Sequence, residues 1–109
     1  MSLYKQYIEE RTSDHVLETD YGFAVYSYIE PKTVYIKDIY VSPKYRGGKT
    51  ASNMADTIVR LAKEQGCTTL LGSVQPSTKN STVSLKVLLG YEMTLKSAFQ
   101  DAIYFEKVI

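Results

Sequence analysis

Val34-Tyr35-Ile36-Lys37-Asp38-Ile39-Tyr40-Val41-Ser42-Pro43-Lys44-Tyr45-Arg46-Gly47-Gly48-Lys49-Thr50-Ala51 reads as a strand that runs through a cationic, two-glycine loop straight into a helix. The first turn of a helix leaves its N–H groups unpaired and carries the positive end of the dipole. Gly47 and Gly48 let the backbone approach a ligand without a Cβ in the way, and Arg46 and Lys49 add formal positive charge. Together these features suit a phosphate or pyrophosphate. The same residues also read as a plain turn with two solvated cations. The end of a Walker A loop, suggested by Gly48-Lys49-Thr50, is a poorer reading. That motif needs a glycine five residues before Gly48, where Pro43 stands without an N–H to give.

The elements on either side follow from apolar periodicity. Upstream, residues 2–12 predict a short helix with Leu3, Tyr4, Tyr7 and Ile8 on one face. Residues 16–19 predict a strand, Asp20-Tyr21-Gly22 a turn, and residues 23–29 a second strand. Glu30-Pro31-Lys32-Thr33 is the next turn, before the strand at 34–41. Downstream, residues 50–65 form the clearest helix. Ala51, Met54, Ala55, Ile58, Leu61 and Ala62 make its apolar stripe, and Gly66 stops it. Residues 68–74 read as a strand. Residues 81–89 read as a helix apolar around most of its circumference and therefore largely buried, with Gly90 as its stop. Residues 91–98 and 102–108, joined by a turn at Gln100-Asp101, predict a closing hairpin.

The expected order is α-β-β-β-α-β-α-β-β, in one α/β (α+β) domain over residues 1–109. The expected sheet is a single mixed, largely antiparallel layer flanked by helices. At its centre is a parallel strand-helix-strand unit over residues 34–74.

Composition limits the functions open to such a domain. A formal net charge of +1 gives no sign of nucleic acid or an anionic membrane as partner. No apolar run approaches the roughly 18 residues needed to span a bilayer. The first eleven residues carry Lys5, Glu9, Glu10 and Arg11 and lack a signal-peptide core. The single cysteine, Cys67, rules out an internal disulfide and a multi-cysteine zinc site, and fits a small buried side chain in a reducing compartment. His15, also alone, reads as a surface or edge residue, so no metal site is expected. The expected location is cytoplasmic. Ten tyrosines suit half-buried strand positions.

Ile36-Lys-Asp-Ile-Tyr-Val-Ser-Pro-Lys-Tyr-Arg-Gly47 resembles the fourth strand and acyl-CoA loop of the GNAT acetyltransferase superfamily. The segment ending in Leu89-Gly90-Tyr91 and the closing Ile103-Tyr-Phe-Glu-Lys-Val-Ile109 strand are similar to that family's second half. The resemblance implies acetyl-CoA as co-substrate, an amine of a small molecule or lysine side chain as acceptor, and direct attack of the amine on the acetyl carbonyl without a metal. It implies that backbone amides of Arg46, Gly47, Gly48, Lys49, Thr50 and Ala51 grip the pyrophosphate. The pantetheine arm would pair with the edge of Ile39, Tyr40 and Val41. A main-chain N–H near Tyr40 or Val41 would face the thioester oxygen.

The spelling departs from the family in four places. Lys49 replaces the first glycine that usually follows the loop arginine, while Ala51 fills the last position of that pattern. Lys86 stands where many members carry the tyrosine that protonates the leaving thiolate, and Asn80 is one residue out of register with the family's helix-start asparagine. Asp38 is the candidate general base, reading otherwise as a structural carboxylate. The usual first strand and much of the first helical region are missing, so the acceptor side is open or completed by a second subunit, for which the closing hairpin offers a homodimer surface. Two functions stay open: a catalytic N-acetyltransferase, and a non-catalytic interaction or regulatory protein on the same fold that retains CoA.

Overall fold

The structure is a computed structural model that describes residues 2–77, 79 and 81–109; of residues 81–84 it describes the backbone. Among the described residues three helices, α1 (Leu3–Arg11), α2 (Thr50–Glu64) and α3 (Ser81–Gly90), accompany six strands. These are β1 (His15–Glu18), β2 (Gly22–Ile29), β3 (Thr33–Val41), β4 (Thr69–Val74), β5 (Thr94–Phe99) and β6 (Ala102–Val108). One turn of 3-10 helix, Pro43–Tyr45, interrupts the loop after β3. The strands form one sheet in the order β1-β2-β3-β4-β6-β5. Every pairing is antiparallel except β3 with β4. A strand, a helix and a strand in succession produce that parallel pair, because α2 carries the chain back to the starting end of the sheet. The order and the central parallel unit are those expected from the sequence, and the boundaries agree to within about three residues, the usual scatter at element ends.

The main core cluster lies on one face of the sheet, while Val16 and Val25, paired across β1 and β2, are buried on the other. Met54, Ala55, Ile58 and Ala62 of α2 are buried, as their 3-4 spacing requires. Ile58, Ala62, Ala24, Tyr26, Val34, Leu70 and Phe105 belong to one cluster, against which Leu85 and Leu88 of α3 pack. Gly72 leaves room for α3, since a Cβ there would stand 3.0 Å from the Leu88 side chain.

Two helices depart from the sequence reading. Of α3, Lys86 and Leu89 are exposed, so the helix is half-buried and not sunk in the core. An apolar composition by itself does not say how many faces a neighbour covers. In α1 no residue is buried, and Leu3 and Tyr7 lie largely in solvent. Polar contacts attach it to the edge of the sheet, beside a ring contact of Tyr4 with Phe23 of β2. Lys5 Nζ donates to the Val16 carbonyl at 2.7 Å, and the Glu9 carboxylate accepts from the Val16 N–H at 3.1 Å. The helix thereby occupies backbone groups that edge strand β1 would otherwise present to another chain.

Candidate acyl-CoA site

Strand β3 is paired on both sides for only part of its length. Its register with β4 runs from Thr33↔Thr69 to Ile36↔Gly72 and stops there. The register with β2 continues through Asp38, Ile39 and Tyr40 to Val41. Between Ile36 and Asp38 it slips by one residue, so Lys37 sits in a β-bulge. A bulge bends and twists its strand, and here it falls where β3 leaves β4. The β4-facing backbone edge of Ile39, Tyr40 and Val41 is thus left without a strand partner, a wedge between two parallel strands.

The chain then enters the 3-10 turn and the glycine loop. The Arg46 N–H is used by the turn, donating to the Pro43 carbonyl at 3.4 Å. Beyond it, no described residue accepts from the main-chain N–H of Gly47, Gly48, Lys49, Thr50, Ala51 or Ser52; the first helical bond is Asn53 N–H to the Lys49 carbonyl at 2.8 Å. Lys49 caps α2 with its backbone alone. Six consecutive unspent amides at a helix start form a strong local concentration of donors. Gly47 adopts φ +87°, a conformation that side-chain-bearing residues resist, and nothing lies within 4 Å of where its Cβ would be. The glycine permits this turn of the chain and leaves open space beside it.

Asp38 is exposed and makes no hydrogen bond or ion pair with any described residue. Its neighbour Lys37 pairs instead with Asp14 at 2.9 Å. The carboxylate therefore stands unneutralised beside the wedge, on the sheet face opposite α2. Lys86 is exposed on α3. Asn80 lies outside the described residues.

The sequence reading missed two hydroxyl contacts. Tyr35 and Ser73 share a hydrogen bond of 2.7 Å across β3 and β4, just where the strands part. The Tyr91 hydroxyl donates to the Asp56 carboxylate at 2.6 Å and ties the end of α3 to α2. Burial, then the bond to Asp56, pushes the Tyr91 phenol well above its usual range, so it is neutral at physiological pH. The signal for the first contact was present, since Tyr35 and Ser73 occupy the same face of parallel neighbours. The second crosses 35 residues and no local pattern announces it. A shallow hollow of about 520 Å³, lined by Asp56, Val59, Arg60, Lys63 and Glu64, lies along the later turns of α2 and shares no residue with the wedge or the loop.

Comparison with known proteins bears on the family and the fold. The model of the acetyltransferase (GNAT) family matches residues 5–85, well over half of the chain. A curated relative, the thialysine N-epsilon-acetyltransferase of Bos taurus, is 30% identical over 76 residues, covering 68% of this chain and 45% of the relative. The chain thus spans under half the length of that relative. Among solved structures, the PaiA N-acetyltransferase of Thermoplasma acidophilum in complex with coenzyme A superposes with a TM-score of 0.77 at 14% identity. That match covers 93% of this chain and 64% of that one. An acetyltransferase of Bacillus subtilis in complex with CoA gives 0.72 at 15% identity, covering 95% and 80%. A shared fold, a shared sequence pattern over most of the chain and an opened parallel seam beside unspent amides converge: the chain belongs to the GNAT acetyltransferase family.

Proposed function

We propose that this protein is an acetyl-CoA-dependent N-acetyltransferase that transfers an acetyl group to a primary amine, of a small molecule or a lysine side chain, by direct attack. The observation that carries the reading is the adjacency of two backbone surfaces: the edge of Ile39, Tyr40 and Val41, which has no strand partner and of which the Val41 carbonyl accepts from Arg46 Nε, and the unspent amides from Gly47 to Ala51 that follow it. The first suits the amide-bearing pantetheine arm, and the second suits the pyrophosphate, with the Lys49 ammonium adding charge. When bound, acetyl-CoA supplies an activated thioester. A main-chain N–H near Tyr40 or Val41 would face the thioester oxygen. Asp38 takes a proton from the incoming amine, directly or through water, and is suited to this by its exposure and lack of a partner. Lys86, an ammonium able to donate, is assigned to the leaving thiolate, and Asn80 to CoA binding. The relatives named as N-acetyltransferases and those holding CoA support this reading.

The acceptor side is open: among the described residues α1 covers that face, against β1 and at Phe23 of β2. A homodimer through the exposed β5–β6 hairpin is the corresponding assembly. No helix of the described residues is long and apolar enough to cross a membrane; we assign the protein to the cytoplasm. A second reading, a CoA-holding module without turnover, draws on the solvent-exposed position of Lys86. Incubating the protein with acetyl-CoA and a panel of primary amines, and following free thiol, separates the two. Amine-dependent thiol release is expected. CoA binding without release on any amine would favour the module.

A further inference from the structure

Arg46 does not extend freely toward the loop's amides. Its Nε donates to the Val41 carbonyl at 2.8 Å, and its guanidinium lies 5.4 Å from the centre of the Tyr40 ring. Tyr40 in turn stacks on Phe23, at 5.6 Å and 27°, its direct partner in the β2–β3 register. Phe23 is covered from the other side by Tyr4 of α1, at 5.0 Å. Behind this stack β2 presses closely on β3, since a Cβ on Gly22 would lie 2.0 Å from the Tyr40 carbonyl oxygen. The loop carries no buried residue between Ser42 and Lys49, so the apolar core does not anchor it. Its anchors are aromatic and lie on the outer surface. Beside the stack just described, Tyr21 meets Tyr45 edge-on at 4.6 Å, and the Ser42 N–H donates to the Tyr21 carbonyl at 2.8 Å.

From these contacts we infer that Arg46 is a positioning residue. Its planar cation, clamped between the Val41 carbonyl and the Tyr40–Phe23 stack, fixes the exit of β3 and so sets the direction of the amides from Gly47 onward. A guanidinium can present Nε to a carbonyl while lying flat on a ring; an ammonium is a point charge and cannot do both. The inference rests on the acyl-CoA reading above, but differs from the assignment of loop cations to phosphate charge. The two predict opposite results for a charge-preserving substitution.

The test is titration of the full chain with coenzyme A by calorimetry at two salt concentrations, for the parent and for Arg46→Lys, Arg46→Gln, Tyr40→Leu, Tyr40→Phe and the double variant Arg46→Gln/Tyr40→Leu. A positioning role predicts that Arg46→Lys and Arg46→Gln weaken binding alike, by about five- to tenfold, the scale of one cation–π contact plus one hydrogen bond. It predicts an unchanged salt slope, a comparable loss in Tyr40→Leu, recovery in Tyr40→Phe, and a double variant no weaker than the worse single one. Arg46→Lys binding like the parent, or Arg46→Gln flattening the salt slope while Tyr40→Leu binds normally, would overturn the inference and make Arg46 a phosphate ligand. A parent that binds no coenzyme A overturns the acyl-CoA reading and this one with it; a parent that binds while both tyrosine variants also bind normally overturns this one alone.

Discussion

The two halves of β3 differ in what they do with the same backbone. From Thr33 to Ile36 the strand is bonded on both sides, and Val34 is fully buried between α2 and the sheet. From Asp38 to Val41 it pairs with β2 alone among the strands, with the Val41 carbonyl taken by the Arg46 side chain, and Asp38 and Tyr40 are exposed. The first half spends its hydrogen bonds on the fold. The second half withholds them, and within a sheet such groups are retained only where water or a ligand can satisfy them. A single bulge at Lys37 separates the two regimes.

Substitutions that act on one half should therefore leave different signatures from those that act on the other. The largest effect on stability belongs to the zipped half. Leu70→Ala, opposite Val34 and almost wholly buried, should cost about 2–5 kcal/mol in denaturant unfolding, the usual range for a core leucine. In a domain this small, such a loss removes much of the total margin. Next comes the open half and its loop. Gly47→Val must either hold φ +87° against its Cβ or turn the amides away. CoA affinity should fall by about ten- to a hundredfold, equivalent to the roughly 1–3 kcal/mol of strain at such positions. The unfolding midpoint should move far less than in Leu70→Ala, because the side chain meets open space. Equal CoA affinity in Gly47→Val would misplace the phosphates.

A smaller effect is expected at the fork itself. Tyr35→Phe and Ser73→Ala each remove one side of the 2.7 Å hydroxyl contact and should each cost about 1 kcal/mol of stability, coupled in a double-variant cycle. Full additivity would show that the contact does not hold the seam. The smallest effect lies on the outer edge, at α1. The Val16 N–H, opposed by burial and helped by Lys5, holds the Glu9 carboxyl below its usual range. Because the folded value is lowered, its contribution is present above the ordinary glutamate pKa and is lost as pH falls through the lower folded value. Acidification should release α1 before the rest of the domain unfolds, seen as a loss of protection of the Val16 amide relative to its intrinsic exchange rate at each pH. Glu9→Gln should remove that pH dependence.

Much of this division could be read from the sequence. The apolar stripe from Ala51 to Ala62 and the strand before it specify a strand-loop-helix unit wherever they occur, because each carries its own period. The glycines after Arg46 marked the loop, although the sequence could not show that Gly47 takes the positive φ and Gly48 does not. The extent of the wedge was not legible, since it depends on where β4 stops pairing; the bulge did leave a trace that the sequence reading passed over, the slip in apolar alternation from Val34 and Ile36 to Ile39 and Val41. Nor was the fate of α1 legible. Leu3, Tyr4, Tyr7 and Ile8 look like a buried face, yet the helix is tied to β1 through Lys5 and Glu9, and long-range polar contacts of that kind have no local signature.

The central claim is that the open half of β3 and the loop amides together receive the pantetheine and diphosphate of one ligand. Following backbone amide resonances during titration with acetyl-CoA tests it most directly. Saturable shifts should concentrate at Ile39, Tyr40 and Val41 and at Gly47 through Ser52, with Thr33 through Ile36 nearly still. Shifts confined to other surfaces, or none at millimolar ligand, would contradict it.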